Sequence, residues 1–428
     1  MMQNSSSTYQ KTVLANGLRV LSHSMPGIRS VSVCVYVGAG SRYEEDSQAG
    51  ISHYLEHMLF KGTHRRPSSV EISSVIEEVG GMTNGATDRE LTSYWCKVAK
   101  PYFYRALDVL VDMVRDPLMD PQEVEKERTV VQEELSASND YPDFRAELLI
   151  DQMLWPNQAM GRDVGGSKES VQGISREMMV DYFHRQYVAS NVVISVAGDI
   201  SHGEVLEAVA PLAAQWPQGT AGTWHPVAPD DQTKPKVQVE YRKTEQAHLL
   251  VALPGMSTYH PDRYALDIMS TVLGEGMSSR LFVEVREKRG LAYDIHSSAT
   301  HFRDTGSFVV YFGVDPQKAS YAVETVLGEL HLVKAGVPQE ELERAKGLAK
   351  GRLLLRMEDS RAVAAWAGAQ EMLRNEVLSV DEVVEKVSAV TAQDVARVAN
   401  DFLVEGKLNL AAVGPYRSGR RFQSLLSV

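Results

Sequence analysis

Two stretches of this chain align without a gap, and that repetition limits the fold more than any other feature. ISREMMVDYFHRQYVASNVVISVAGD begins at position 174 and VTAQDVARVANDFLVEGKLNLAAVGP at position 390, an offset of 216. Ser175 and Thr391 take the same helix N-cap position, Tyr187 and Leu403 close the two helices, and Gly198 and Gly414 end the strands that follow. Each copy reads as a capped amphipathic helix, a short turn and an apolar or alternating strand. A second pair, DPQEVEKERTVVQEEL from Asp120 and VPQEELERAKGLAKGRL from Val337, repeats at an offset of 217. Two pairs with nearly the same offset, close to half of 428 residues, mark a duplicated domain. A chain of this length also exceeds the usual size of a single core.

The duplication predicts one domain over 1–215, a linker over 216–237 and a second domain over 238–428. The stretch AAQWPQGTAGTWHPVAPDDQTKPKV, 213–237, is rich in Pro, Gly, Thr and Asp and lacks periodicity, as a linker should. Strands such as RSVSVCVYVGAG (29–40) and GSFVVYFGV (306–314) mix with helices without strict βαβ alternation. That pattern predicts α+β halves, each an antiparallel β-sheet with helices packed on one face.

A net charge of −12 argues against nucleic-acid binding, which needs basic patches, and weakly favours basic substrates. Cys34 and Cys96 sit in apolar, strand-like runs and read as two buried thiols in a reducing compartment, with a single disulfide between them as the alternative. The N-terminal MMQNSSSTYQKTVLANG has neither the apolar core of a signal peptide nor the arginines of a transit peptide. No stretch approaches the ~18 apolar residues of a membrane span. A cytoplasmic protein with no membrane partner is therefore expected. Walker A, GxSxG and CxxC motifs are all missing from the sequence.

The chemistry concentrates in GISHYLEHMLFKGT, 50–63. Ile51, Tyr54, Leu55, Met58 and Leu59 form the apolar stripe of a helix that stops near Lys61-Gly62. At about 100° per residue, His53 and His57 fall roughly 40° apart on one face, with Glu56 beside them. Two imidazoles at that spacing can reach one ion and suit zinc, and Glu56 is placed to take a proton from an attacking water. Three polar side chains on an apolar helix are costly to bury unless they share a partner. The order H-x-x-E-H is that of the inverzincins.

A zinc site of this kind needs a third protein ligand. Asp120 and Pro121 read as the N-cap and first position of a helix that carries Glu127 and Glu134. These glutamates stand seven residues apart, within about 20° of one face, and share it with Val124 and Val131. Residue pattern alone leaves both carboxylates open as the ligand.

Over essentially its whole length the chain resembles the pitrilysin/insulysin inverzincins, particularly short members similar to the mitochondrial processing peptidase β subunit. In that family a glutamate about 76 residues beyond the second histidine completes the ligand set, which here implies Glu134; a glutamate seven positions earlier, here Glu127, supports the ligands. The segment GGMTNGATDRELTSYWCKV, 80–98, is similar to the family's active-site edge strand. The resemblance implies that a peptide adds to it as a further strand, facing Asn84 and the backbone of Ala86. LFVEVREKRGLAYDIHSS, 281–298, resembles the family's Arg…Tyr element, implying that Arg286 and Tyr293 hold the substrate backbone and stabilise the oxyanion.

Projecting His53, His57 and Glu134 forward by 217 reaches Ser270, Gly274 and Gly351, none a metal ligand, so the second half reads as a degenerate copy that supplies substrate contacts. The resemblance implies a zinc-dependent endopeptidase with one zinc ion per chain, cleaving peptides or unfolded segments inside an enclosed chamber. It also implies a dimer, either a homodimer or a heterodimer with a metal-free relative. The competing class is a non-catalytic scaffold or assembly subunit, in which the metal motif is typically eroded. A metal-dependent hydrolase of non-peptide substrates fits the ligands but not the peptide-binding strand.

Overall fold

The computed structural model describes residues 9–229 and 231–427. Part of the N-terminal reading falls on residues 1–8, outside the described residues. The chain gathers into two compact units that interleave in sequence. One runs to Leu135 and adds Asp163–His225 and Leu354–Asp381; the other takes Ser136–Arg162, Pro226–Leu353 and the chain from Glu382 onward.

The first unit holds a six-stranded sheet of β1 (Tyr9–Val13), β2 (Arg19–Ser24), β3 (Ser30–Val37), β4 (Met82–Thr87), β5 (Thr92–Ala99) and β6 (Val192–Gly198). Their order is β1-β2-β6-β3-β5-β4, which leaves β4 at an edge. The second unit holds β7 (Lys236–Tyr241), β8 (Ala247–Pro254), β9 (Ala292–His301), β10 (Gly306–Val314) and β11 (Asn409–Gly414), ordered β7-β11-β8-β10-β9. Apart from β1, the two sheets repeat one plan. A parallel pair, β2 with β6 or β7 with β11, is followed by antiparallel neighbours.

The repeated helix–strand segments occupy matching places. Ser175 caps the helix Arg176–Gln186 by accepting from Met178 N–H, and Thr391 caps Ala392–Phe402 through Asp394 N–H. The α+β architecture of two related units is thus the expected one. Each sheet is nevertheless mixed rather than wholly antiparallel, because β6 and β11 return by long crossovers instead of hairpins. Helices also cover both faces of each sheet, not one, and the reason is an exchange of helices between the halves of the sequence.

On one face of β3, Val31, Val33, Val35 and Val37 pack with Ala106, Leu107 and Leu110 of the helix Phe103–Arg115. On its other face, Cys34 and Tyr36 meet Val363, Ala364 and Ala367 of the helix Ser360–Arg374, which comes from the second half of the chain. The second sheet mirrors this arrangement. Leu250, Ala252, Ala411 and Val413 pack under Ala146, Leu149, Ile150 and Met153 of Pro142–Leu154, a helix from the first half. Strands buried on both faces read as near-continuous apolar runs, which accounts for VVISVAG and NLAAVG, every residue of which is buried.

Cys34 lies opposite Trp95 and Cys96 opposite Val33, so the two sulfurs point to opposite faces of the sheet. Both are free thiols that burial pushes up to about 12. Among the described residues no helix is long and apolar enough to cross a membrane.

Gly368, on an exchanged helix, tests the helix exchange, and Gly328, on a helix that is not exchanged, serves as its control. A Cβ on Gly368 would stand 2.5 Å from Tyr36 Cδ2 and 3.0 Å from Ser195 Cβ, whereas one on Gly328, in the helix Ala319–Val333, meets nothing within 4 Å. Gly368→Val should destabilise by about 1–3 kcal/mol through overpacking. Gly328→Ala should stabilise by about 0.5–1 kcal/mol through helix propensity. Denaturation midpoints check both signs.

His301 supplies a pH signature in the second unit. Its Nδ1 faces the Met256 carbonyl at 2.7 Å and its Nε2 faces Asp267 Oδ1 at 2.9 Å, both acceptors, so only the doubly protonated ring satisfies both. Burial lowers its pKa, but the Asp267 hydrogen bond and charge and the Met256 carbonyl outweigh burial and the nearby Arg263, and the net shift is upward. A raised folded pKa means a contribution fully present below the unfolded value near 6.5 and lost as pH rises through the folded value. The stability gap between wild type and His301→Gln should therefore be largest near pH 5.5 and shrink by pH 9, with a size of roughly 0.5–1.5 kcal/mol. Denaturant titrations at the two pH values measure it.

Candidate metal centre

The helix Ile51–Leu59 starts at a crowded turn. Gly50 has φ 92°, a left-handed value, and a Cβ there would come 2.7 Å from the Gly165 carbonyl carbon. Glu44, 1% exposed, accepts from the N–H groups of Gly50 (2.8 Å) and Ser52 (2.9 Å), satisfying two orphan donors at the positive end of the helix dipole. Ile51, Tyr54, Leu55, Met58 and Leu59 are fully buried, and the Tyr54 hydroxyl donates to the Val124 carbonyl. With that face committed to the core, His53, Glu56 and His57 share the remaining one.

The facing helix, Pro121–Asp140, begins as expected, with Asp120 Oδ1 accepting from Gln122 and Glu123 N–H at 2.8 and 3.2 Å. Val124, Glu127 and Val131 are buried on it, while the Glu134 side chain remains 51% exposed. It brings Glu134 Oε2 to 3.4 Å from His57 Nε2 and 3.8 Å from His53 Nε2, and the two imidazole nitrogens stand 3.3 Å apart. Donor atoms about 2.0–2.1 Å from one ion at tetrahedral angles lie about 3.3–3.4 Å from each other. Two of the three separations match that spacing and the third, 3.8 Å, exceeds it by about 0.4 Å. The atoms thus come near the spacing around a zinc-sized ion, and among the described residues they are the one such group.

Charge and hydrogen bonding agree with that fit. Burial, then the neighbouring His57, pushes His53 down to about 4 against the pull of Glu134, so its ring is neutral and keeps a lone pair for a ligand. Among the described residues its Nδ1 is buried without a hydrogen-bond partner. For His57, burial lowers the pKa but is outweighed by the Glu127 hydrogen bond and the charges of Glu134, Glu127 and Glu56. Three carboxylates thus favour positive charge where the imidazoles converge.

Glu127 supports this arrangement by holding His57 Nδ1 at 3.0 Å and Lys61 Nζ at 2.6 Å. Burial raises its pKa, but these two partners bring it below the usual range. With a hydrogen on Nδ1 committed to Glu127, His57 turns Nε2 toward the other two donors.

Glu56 is oriented by β4. The Thr87 hydroxyl donates to Glu56 Oε2 at 2.6 Å. A Cβ on Gly85 would stand 2.7 Å from Glu56 Oε1, so strand and carboxyl approach closely. Burial raises the Glu56 pKa, and the nearby Glu134 adds to this against the Thr87 hydrogen bond and His57. Asn84 and Ala86 alternate with Gly85 and Thr87 and are exposed. Asn84 Oδ1 accepts from the Gly85 N–H at 2.9 Å. The structure thus brings Gly85 and Thr87, rather than Asn84 or Ala86, to the carboxyl.

In the second unit, Arg286 and Tyr293 meet each other. Arg286 lies on a stretch of π-helix, Phe282–Glu287, with its guanidinium 4.7 Å from the Phe282 ring centre and 5.3 Å from that of Tyr293. Tyr293 is 78% exposed. At two of the three projected ligand positions small residues meet β9, while a Cβ on the third, Gly351, would meet nothing within 4 Å. Ser270 Oγ lies 3.1 Å from Ser297 Oγ, and a Cβ on Gly274 would stand 2.5 Å from that same oxygen.

Sequence reasoning missed Glu44, Lys61, Gly85 and Thr87. Lys61 follows the histidine helix closely and could have been paired with Glu127. Glu44 and Thr87 carry no spacing signal, because the loop path and the β4–β5 register decide where they point.

Known proteins resemble this chain over nearly its whole length. Residues 19–168 match the family model described as insulinase (peptidase family M16), and 173–348 match that of the peptidase M16 inactive domain. An uncharacterized zinc protease of Streptomyces coelicolor is 34% identical across 96% of this chain and 90% of its own length. Another, from Bacillus subtilis, is 34% identical across 94% and 97%. The bovine mitochondrial-processing peptidase subunit beta is 29% identical across 97% and 86%. Among solved structures, a protease from Helicobacter pylori superimposes with a TM-score of 0.91 at 22% identity, over 96% of this chain and all of that one, a likeness of fold. The chain belongs to the insulinase family of metallopeptidases, peptidase family M16.

Proposed function

We propose that the protein is a zinc-dependent endopeptidase that cleaves peptides or unfolded polypeptide segments. The observation that carries this reading is the meeting of His53 Nε2, His57 Nε2 and Glu134 Oε2 at 3.3–3.8 Å on the helix face that also carries Glu56. Zinc proteases by name, 34% identical over nearly the whole chain, support it.

On this reading His53, His57 and Glu134 hold one zinc ion per chain. When bound, zinc polarises the scissile carbonyl and makes water nucleophilic at neutral pH. Glu56 takes a proton from the attacking water and returns it to the leaving amine. Glu127 keeps the His57 ring aimed through Nδ1. Edge strand β4 receives the substrate as an added strand beside Asn84 and Ala86, and Arg286 with Tyr293 holds the substrate backbone and stabilises the developing oxyanion. A scaffold protein would gain nothing from ligand-spaced donors kept together with a further carboxyl on the same face.

Zinc titration and a quenched-peptide assay test the reading together. Glu56→Gln should bind zinc as wild type does, yet lose about 10²–10⁴-fold in kcat. Glu127→Gln should remain folded and bind zinc about 10–100-fold more weakly. Cleavage that survives chelation, or full turnover by Glu56→Gln, would contradict it.

A further inference from the structure

We infer that Thr87 is a positioning residue for Glu56, so that β4 sets the orientation of the proton-accepting carboxylate. The inference rests on the zinc-peptidase reading and adds to it a residue that acts only through Glu56. The Thr87 Oγ1–Glu56 Oε2 separation of 2.6 Å lies in the range of a hydroxyl donating to a carboxylate. A hydroxyl has one hydrogen, and here it is committed to Glu56.

The donor is itself held firmly. Thr87 closes β4 opposite Thr92 of β5, and its branched side chain restricts χ1. Thr92 is fully buried and donates to the Ala39 carbonyl at 3.1 Å, with its own oxygen 3.5 Å from that of Thr87. This chain of fixed groups runs from the sheet to the Glu56 carboxyl.

The other carboxylate oxygen has no side-chain donor among the described residues. Oε1 lies against Gly85, which has no side chain to occupy the space, and the Thr87 backbone N–H also bears on the carboxyl. One oxygen is therefore anchored and the other presented for proton transfer. A general base must lie within hydrogen-bond reach of its proton, and a small misplacement costs heavily in rate. A carboxylate free to rotate would spend part of its time out of reach.

The test compares Thr87→Val, which keeps the shape and removes the donor, with Thr87→Ser, which keeps the donor. Zinc-loaded variants are assayed for kcat and KM, zinc content and thermal midpoint are measured, and their crystal structures report the Glu56 rotamer. Thr87→Val should lower kcat about ten- to a hundredfold with KM and zinc content little changed, and should show Glu56 in more than one rotamer. Thr87→Ser should keep most of the wild-type kcat and a single rotamer. Wild-type kcat in Thr87→Val, or Glu56 in its original orientation there, would overturn the inference alone. So would equal losses in both variants accompanied by a lower thermal midpoint, since that marks a structural role. A wild-type protein without chelator-sensitive cleavage would overturn the peptidase reading and this inference with it.

Discussion

Crowding two imidazoles and a carboxylate to within 3.3–3.8 Å of one another is the constraint around which the first unit is arranged. Lone pairs brought that close repel and lose water, a cost that a shared cation offsets. Every neighbouring element bears on it. Glu44 fixes where the histidine helix begins, Tyr54 docks it to the facing helix, and Glu127 with Lys61 sets the charge and ring orientation of His57. The edge strand β4 completes the surround by holding Glu56 through Thr87.

The duplicated half shows what the same scaffold becomes without that constraint. Its sheet repeats the strand order of the first, but Ser270 and Gly274 stand where the histidines project, and Ser297 of β9 closes against them. Small residues let helix and strand approach closely there, since a Cβ on Gly274 would stand 2.5 Å from Ser297 Oγ. One fold thus carries small residues at these positions in one copy and two histidines and a glutamate in the other. The helix exchange is duplicated as well, since Pro142–Leu154 and Ser360–Arg374 follow equivalent long helices and each covers a sheet from the other half of the chain.

Much of this was readable in the sequence because it depends on local spacing. The i, i+4 histidines, the seven-residue separation of Glu127 and Glu134, the caps at Asp120, Ser175 and Thr391 and the repeat itself follow from helix geometry. The choice between Glu127 and Glu134 needed the family resemblance. What sequence left dark depends on contacts distant along the chain. An alternating strand shows which residues share a face, but the register against β5 and the helix beneath decide that Gly85 and Thr87, not Asn84 and Ala86, turn toward Glu56. Likewise the apolar stripe of Ser360–Arg374 says that the helix is buried without saying on which sheet, and β6 and β11 carry no mark of parallel pairing.

The central claim is that His53, His57 and Glu134 together bind one zinc ion. Crystals of the zinc-loaded protein, with anomalous scattering measured on both sides of the zinc absorption edge, test it most directly. The account predicts one anomalous peak per chain, within about 2.0–2.2 Å of His53 Nε2, His57 Nε2 and a Glu134 oxygen. No peak there at full zinc loading, or a peak bound by other residues, would contradict it.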